Sequence, residues 1–208
     1  MSRELKVKSI LGRGYSCNVF LVKSEENFLV DAGMDMVENV KKKVDGTNIE
    51  SIVLTHRHID HVADAERLST ELDATLYAPG KEAKALREGD DRTILSSSFG
   101  RSLSPLKIET LDTDIFSCFE VLLTPGHTEG SICLYHEDEK ILFSGDTVFA
   151  NGGAGRTDLP TGNRDELIES IGKLEKLEVD SLYPGHMSVV KEEAEKHIKR
   201  SLKNLRMF

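Results

Sequence analysis

Apolar positions come in short β-branched or aromatic runs over the first part of the chain. Residues 4–11 (ELKVKSIL), 17–23 (CNVFLVK) and 27–31 (NFLVD) predict three successive strands, with Ser24 to Glu26 as a polar tight turn between the last two. From 35 to 44 the interval changes. Met36, Val37, Val40 and Val44 recur at helical spacing among charges, and Gly46 supplies a stop. A short strand is predicted over 51–55 (SIVLT). A helix follows over 61–73, with Val62, Ala65, Leu68 and Leu72 on one face. A strand over 75–78 and a helix over 80–88 come next. Residues 89–105 are rich in Ser and Gly and predict a surface loop or a substrate-facing lid. The second part repeats the pattern. Strands are predicted over 106–111, 115–123, 131–135, 140–144 and 181–183. One helix is predicted over 164–177, with Asn163 and Glu166 as a cap pair, and another from about residue 189. Two strand-rich halves, each followed by helices, predict sheets packed together with helices outside, in one domain over 1–208.

Composition narrows the choices. A chain of 208 residues buries about 70% of its unfolded surface, so one core suffices without disulfide staples. With 27 basic and 36 acidic residues the formal net charge is −9, which repels phosphate backbones and anionic headgroups. Neither nucleic acid nor membrane is an expected partner. No apolar run approaches the length of a membrane span, and MSRELKVKSI carries charges where a signal peptide is apolar. The three cysteines, Cys17, Cys118 and Cys133, form no CxxC pair; they predict buried thiols in a reducing cytoplasm.

The chemistry concentrates in Thr55-His56-Arg57-His58-Ile59-Asp60-His61. Three histidines and an aspartate within six residues are too polar to share a core, and they follow directly on the apolar run SIVLT. Three later runs end the same way: EVLLTPG before His127, ILFSG before Asp146, and SLYPG before His186. Each apolar run delivers one metal-capable side chain just past its end. Gly126, Gly145 and Gly185 immediately precede the last three, offering sharp turns. His136, beside Glu137 and Asp138, and His197, on a charged helix, are expected to be solvated.

Imidazoles plus a carboxylate suit zinc, and also iron or manganese. His56, His58 and His127 make a three-nitrogen site with an open position. Asp60, His61 and His186 make a second, and Asp146 is left to bridge the two. Two divalent metals about 3.5–4 Å apart share a hydroxide formed near neutral pH. Asp60 is close enough in sequence to orient that water or take its proton, which makes it the candidate catalytic residue.

These residues are similar to those of the metallo-β-lactamase superfamily, over nearly the whole chain. HxHxDH carries the likeness most specifically, and His127, Asp146 and His186 follow in the expected order. The step Asp31-Ala32-Gly33 after a strand also looks like the family's aspartate that supports a metal ligand. The resemblance implies an α/β fold, an αββα sandwich of two mixed sheets with outer helices, the metals lying at one edge. The stretch Gly152-Gly153-Ala154-Gly155-Arg156-Thr157-Asp158-Leu159-Pro160 resembles the glyoxalase II-like (hydroxyacylglutathione hydrolase-like) thioesterases. Arg156 departs from the lysine-bearing loop of true glyoxalase II. The chain also ends soon after His186, where those enzymes carry a helical region that contributes to glutathione binding.

The expected activity is therefore hydrolysis of a small-molecule thioester or ester by a metal-bridging hydroxide, in a monomer or homodimer. Phe99, Arg101 and Arg156 are the candidate substrate contacts. The GRTD sequence also resembles the persulfide dioxygenases of the same superfamily, which hold one iron on residues matching His56, His127 and Asp146. Leu159-Pro160 stands here where those enzymes carry phenylalanine. Ribonucleases share the metal motif as well, against which stand the charge of −9 and the lack of a large inserted domain.

Overall fold

Exposed Lys6 and Lys8 alternate with half-buried Val7 and Ser9 in the first strand, β1 (Lys6–Ile10), as suits the edge of a sheet. The next strand, β2 (Val19–Lys23), is buried along all but its last residue, and β3 (Phe28–Val30) throughout. Runs this apolar lie inside a sheet covered on both faces. The computed structural model describes residues 5–112 and 118–207. Its contacts divide the chain into two compact units, Met1–Leu111 and Asp112–Phe208.

The first unit holds a six-stranded sheet in sequential order, completed by β4 (Ser51–Val53), β5 (Thr75–Ala78) and β6 (Glu109–Thr110). β1 to β3 pair antiparallel, then β3 to β6 pair parallel, so the sheet is mixed. Helices supply the parallel crossovers. They are α1 (Val37–Val44), α2 (Ile59–Val62), α3 (Ala65–Leu72), α4 (Gly80–Glu88) and α5 (Asp91–Ile94). One cluster unites Leu21, Leu29, Ile52 and Leu54 with Val40, Leu68 and Leu86 from the helices.

The second unit holds a mixed four-stranded sheet. Its strands are β7 (Glu120–Leu123), β8 (Ile132–His136), β9 (Ile141–Gly145) and β10 (Ser181–Pro184), in the order β10-β9-β8-β7. Only the β9–β10 pair is parallel. Two helices, α6 (Arg164–Leu174) and α7 (Ala194–Met207), bury Leu167, Ile171, Ile198 and Leu202 against Cys133, Leu142 and Leu182. Asn163 caps α6, its side-chain oxygen accepting from the backbone N–H of Asp165 at 3.0 Å and of Glu166 at 3.2 Å. Among the described residues no helix is long and apolar enough to cross a membrane.

Several boundaries differ from the pattern. The helix predicted over 61–73 is two helices, because the Asp64 backbone N–H leaves the helical ladder and donates to the Gly33 carbonyl at 3.1 Å. The last helix starts at Ala194 rather than near 189, because Val190 stays extended. It exchanges two backbone bonds with Leu182, at 2.8 and 2.9 Å. The stretch 89–105 carries α5 and a 3-10 turn at Ser97–Phe99. The strand predicted over 106–111 is ladder-paired only at Glu109–Thr110. The start of the strand predicted from residue 4, and residues 115–117 of the one predicted over 115–123, lie outside the described residues.

Two glycines give stability changes of opposite sign. Gly126 has φ +131°, and a Cβ there would stand 2.3 Å from the Leu167 backbone nitrogen. Gly126→Ala is expected to cost about 2–5 kcal/mol, the sum of backbone strain and overpacking. Gly172 lies inside α6, and a Cβ built on it meets nothing within 4 Å. Gly172→Ala is expected to gain about 0.5–1 kcal/mol through helix propensity. Urea titration checks both, as shifts in midpoint at constant slope.

Candidate metal centre

The first unit gathers its polar chemistry where β3 and β4 end. Asp31 follows β3 and takes φ +61°, a left-handed conformation that aspartate tolerates better than most residues. Its carboxylate is almost fully buried. One oxygen accepts the Thr55 backbone N–H at 2.8 Å, and the Thr55 hydroxyl lies 3.0 Å from both oxygens. The other oxygen lies 2.8 Å from His61 Nδ1. Backbone bonds tighten the same corner. Ala32 N–H donates to the His61 carbonyl at 2.9 Å, and Cys17 N–H to the Asp60 carbonyl at 3.2 Å.

These contacts fix histidine tautomers. An ionised carboxylate only accepts, so His61 Nδ1 carries the proton and its lone pair sits on Nε2. The Thr55 hydroxyl has one proton, which the Asp31 carboxylate takes. His56 Nδ1, 3.1 Å from the Thr55 oxygen, is then the donor there, and its lone pair is also on Nε2. The His56 ring centroid lies 4.8 Å from that of His58 and 4.1 Å from that of His61. His61 Nε2 stands 3.8 Å from an Asp60 carboxylate oxygen. His56, His58, Asp60 and His61 are thus brought together at the start of α2, with Asp31 bonded to His61 and Thr55.

The second unit gathers His127, Asp146 and His186. One Asp146 carboxylate oxygen lies 3.6 Å from His127 Nε2 and 3.5 Å from His186 Nε2. His127 Nδ1 donates to the Arg156 carbonyl at 2.8 Å, which again places the lone pair on Nε2. That contact needs close backbone approach. A Cβ on Gly155 would stand 2.1 Å from the Asp146 carbonyl and 2.8 Å from His127 Nδ1. Of the three glycines preceding ligands, Gly126 (φ +131°) and Gly145 (φ +46°) take left-handed turns. The turn near His186 falls instead on Met187, with φ +67°.

Donor chemistry fits divalent metals. Both half-sets are imidazole nitrogens and carboxylate oxygens, and three of the imidazoles have Nδ1 occupied by a carboxylate, a hydroxyl or a carbonyl. Outer-shell partners of this kind orient metal-binding histidines.

Each candidate substrate contact has a neighbour of its own. Phe99 is half-buried, edge to face with Tyr15 at 5.5 Å. Arg101 is exposed and pairs with Asp35. The Arg156 guanidinium is exposed and pairs with Asp158 at 2.7 Å, while the backbone carbonyl of the same residue holds His127. His136 is buried rather than solvated, edge to face with Phe119 at 5.1 Å and accepting the Glu139 N–H at 3.2 Å. His197 is half-buried and accepts the Asn151 N–H at 2.7 Å. Thr55 and the Arg156 carbonyl were not legible as site groups. A threonine before HxH carries no spacing signal, and a backbone carbonyl has no side-chain identity.

The family model of the metallo-β-lactamase superfamily matches residues 12–186. The chain belongs to the metallo-β-lactamase superfamily and has its α/β fold, with two mixed sheets and helices. It is 37% identical to a probable metallo-hydrolase of Methanocaldococcus jannaschii, over 84% of this chain and 89% of that one. It is 32% identical to the hydroxyacylglutathione hydrolase GloC of Haemophilus influenzae, over 60% of this chain and 61% of that one. Among solved structures, the B3 metallo-β-lactamase BLEG-1 matches with a TM-score of 0.80 at 26% identity, covering 95% of this chain and 97% of that one. A protein crystallised in a di-iron-bound form matches with a TM-score of 0.77 at 26% identity, covering 88% of this chain and 94% of that one.

The thiols give a direct check on the packing within each unit. Cys17 and Cys133 are buried and Cys118 is exposed, so the expectation of three buried thiols fails at Cys118. Burial pushes the Cys17 thiol up to about 12 and the Cys133 thiol up to about 11. A raised thiol pKa keeps both groups protonated and inert through pH 8, and the thiolate is the reacting form. Ellman's reagent at pH 8 is expected to titrate one thiol in the native protein and three in denaturant.

Proposed function

We propose that this protein is a dinuclear metal-dependent hydrolase of small-molecule thioesters, a glyoxalase II-like activity. Asp146 carries the proposal, because one of its oxygens lies within 3.6 Å of both His127 and His186. A carboxylate between two imidazoles is the arrangement that a shared ligand of two metals needs. The family match from residue 12 to residue 186 encloses both half-sets, which supports taking them as one centre. His56, His58 and His127 would hold one metal; Asp60, His61 and His186 the other, with Asp146 common to both. Bound there, divalent metals lower the pKa of water towards neutrality and polarise a carbonyl.

The chain's own residues supply orientation and proton handling. Asp31 holds His61 and, through Thr55, His56, in the tautomer that offers Nε2. The Arg156 carbonyl does the same for His127. Asp60, half-buried beside His61, orients the attacking water and takes its proton. The likeness to the hydroxyacylglutathione hydrolase supports a thioester as substrate. The thiol carrier need not be glutathione. Zinc is the metal proposed, with iron and manganese as chemically acceptable occupants of the same ligands. A cytoplasmic location and a small-molecule partner complete the proposal.

Asp60→Ala is expected to lower turnover of a thioester panel about 10²–10⁴-fold with the circular dichroism spectrum unchanged. Full retention of activity overturns the role given to Asp60. Elemental analysis of protein prepared anaerobically is expected to find two metals per chain. A single iron per chain, with oxygen uptake on a persulfide, selects the dioxygenase reading instead.

A further inference from the structure

Arg57 stands between two candidate ligands, and its side chain goes the other way. The guanidinium is buried, at 3% side-chain exposure, against a fully buried carboxylate, Glu82 on the first turn of α4. Glu82 accepts three bonds from this one residue. They come from the Arg57 backbone N–H at 2.8 Å, from Nε at 2.9 Å, and from a terminal guanidinium nitrogen at 2.8 Å. The other terminal nitrogen donates to the Thr93 hydroxyl at 3.2 Å, and that hydroxyl donates to the Asp90 carboxylate at 2.8 Å. Arg57 also donates to the Lys81 carbonyl at 3.3 Å.

A buried ion pair is costly to desolvate and is weak evidence for stability. This one has a specific geometric consequence. The Glu82 bonds reach both backbone and side chain of Arg57, so they fix the His56–Arg57 peptide and, with it, the segment from His56 to His58. Bidentate guanidinium–carboxylate geometry is planar and tolerates little rotation. Asp31 restrains the same loop through Thr55 and His61.

We infer that Glu82 is a positioning residue for the metal centre, acting through Arg57 to set the spacing of His56 and His58. This rests on the proposal that the HxHxDH segment holds metal. Glu82 acts on the backbone that carries two of the candidate ligands. Outer-shell groups that orient ligands are worth about 10–100-fold in metal affinity, and the same range is expected here.

Zinc affinity by chelator competition, and the cobalt absorption spectrum, are measured on wild type, Glu82→Gln and the double variant Arg57→Met/Glu82→Leu. The double variant replaces the pair by apolar side chains of similar volume, which conserves stability in buried pairs. The expected result is thermal stability near wild type in the metal-free double variant, with zinc bound about 10–100-fold more weakly and an altered cobalt spectrum. Wild-type zinc affinity and an unchanged cobalt spectrum in a folded double variant overturn the inference and leave the metal-site proposal standing. If the double variant does not fold, Glu82→Gln decides on the same two readouts. It keeps the shape of the side chain but loses the charge facing Arg57. Absence of zinc or cobalt binding in the wild type overturns the metal-site proposal, and this inference with it.

Discussion

One buried carboxylate organises the first half of the candidate centre. Asp31 is held in a left-handed conformation at the end of a buried strand, where its oxygens meet a backbone N–H, a hydroxyl and an imidazole. An ionised carboxylate accepts several such bonds, and each donor comes from the segment carrying HxHxDH. Remove that acceptor and the histidine tautomers lose their definition. The loop also loses the bond tying it to the next strand. The residues around it follow suit: the His61 carbonyl takes the N–H groups of Ala32 and Gly33, at 2.9 and 3.1 Å. Strain at Asp31 is thus repaid by a network that leaves few alternatives.

The second unit reaches the same end by different means. Here a backbone carbonyl, that of Arg156, orients His127. The requirement shifts from charge to closeness, because the chain at Gly155 passes within contact of both Asp146 and His127. Gly126 meets a parallel demand against the start of α6, whose Asn163 N–H donates to the Gly126 carbonyl at 2.8 Å. In both units the candidate ligands sit just past strand ends, where side chains leave the ladder and the backbone is free to turn. The strand and helix ends therefore lie within four residues of the polar groups they position.

Much of this was legible along the chain. Apolar runs ending in His56, His127, Asp146 and His186 marked strands that deliver ligands, because burial and polarity change abruptly at one residue. The cap at Asn163 was legible because side-chain capping is local. Failures came where a distant partner overrode local preference. Asp64 breaks a helix to bond Gly33, and Val190 stays extended to pair with Leu182. His136 is flanked by acids in sequence yet packs on Phe119.

The sequence by itself determined the class of protein, the candidate ligands and the alternation of strands with helices. Those depend on residue identity, short-range periodicity and the order of motifs. Asp31 was already marked by the resemblance; tertiary structure alone decided the other groups that support the candidate ligands. Glu82 lies 25 residues from Arg57 and the Arg156 carbonyl lies 29 from His127, and neither spacing follows a period. A buried polar group must find a partner wherever the fold brings one, because burying it alone is too costly. That choice is made in space, so no reading along the chain contains it.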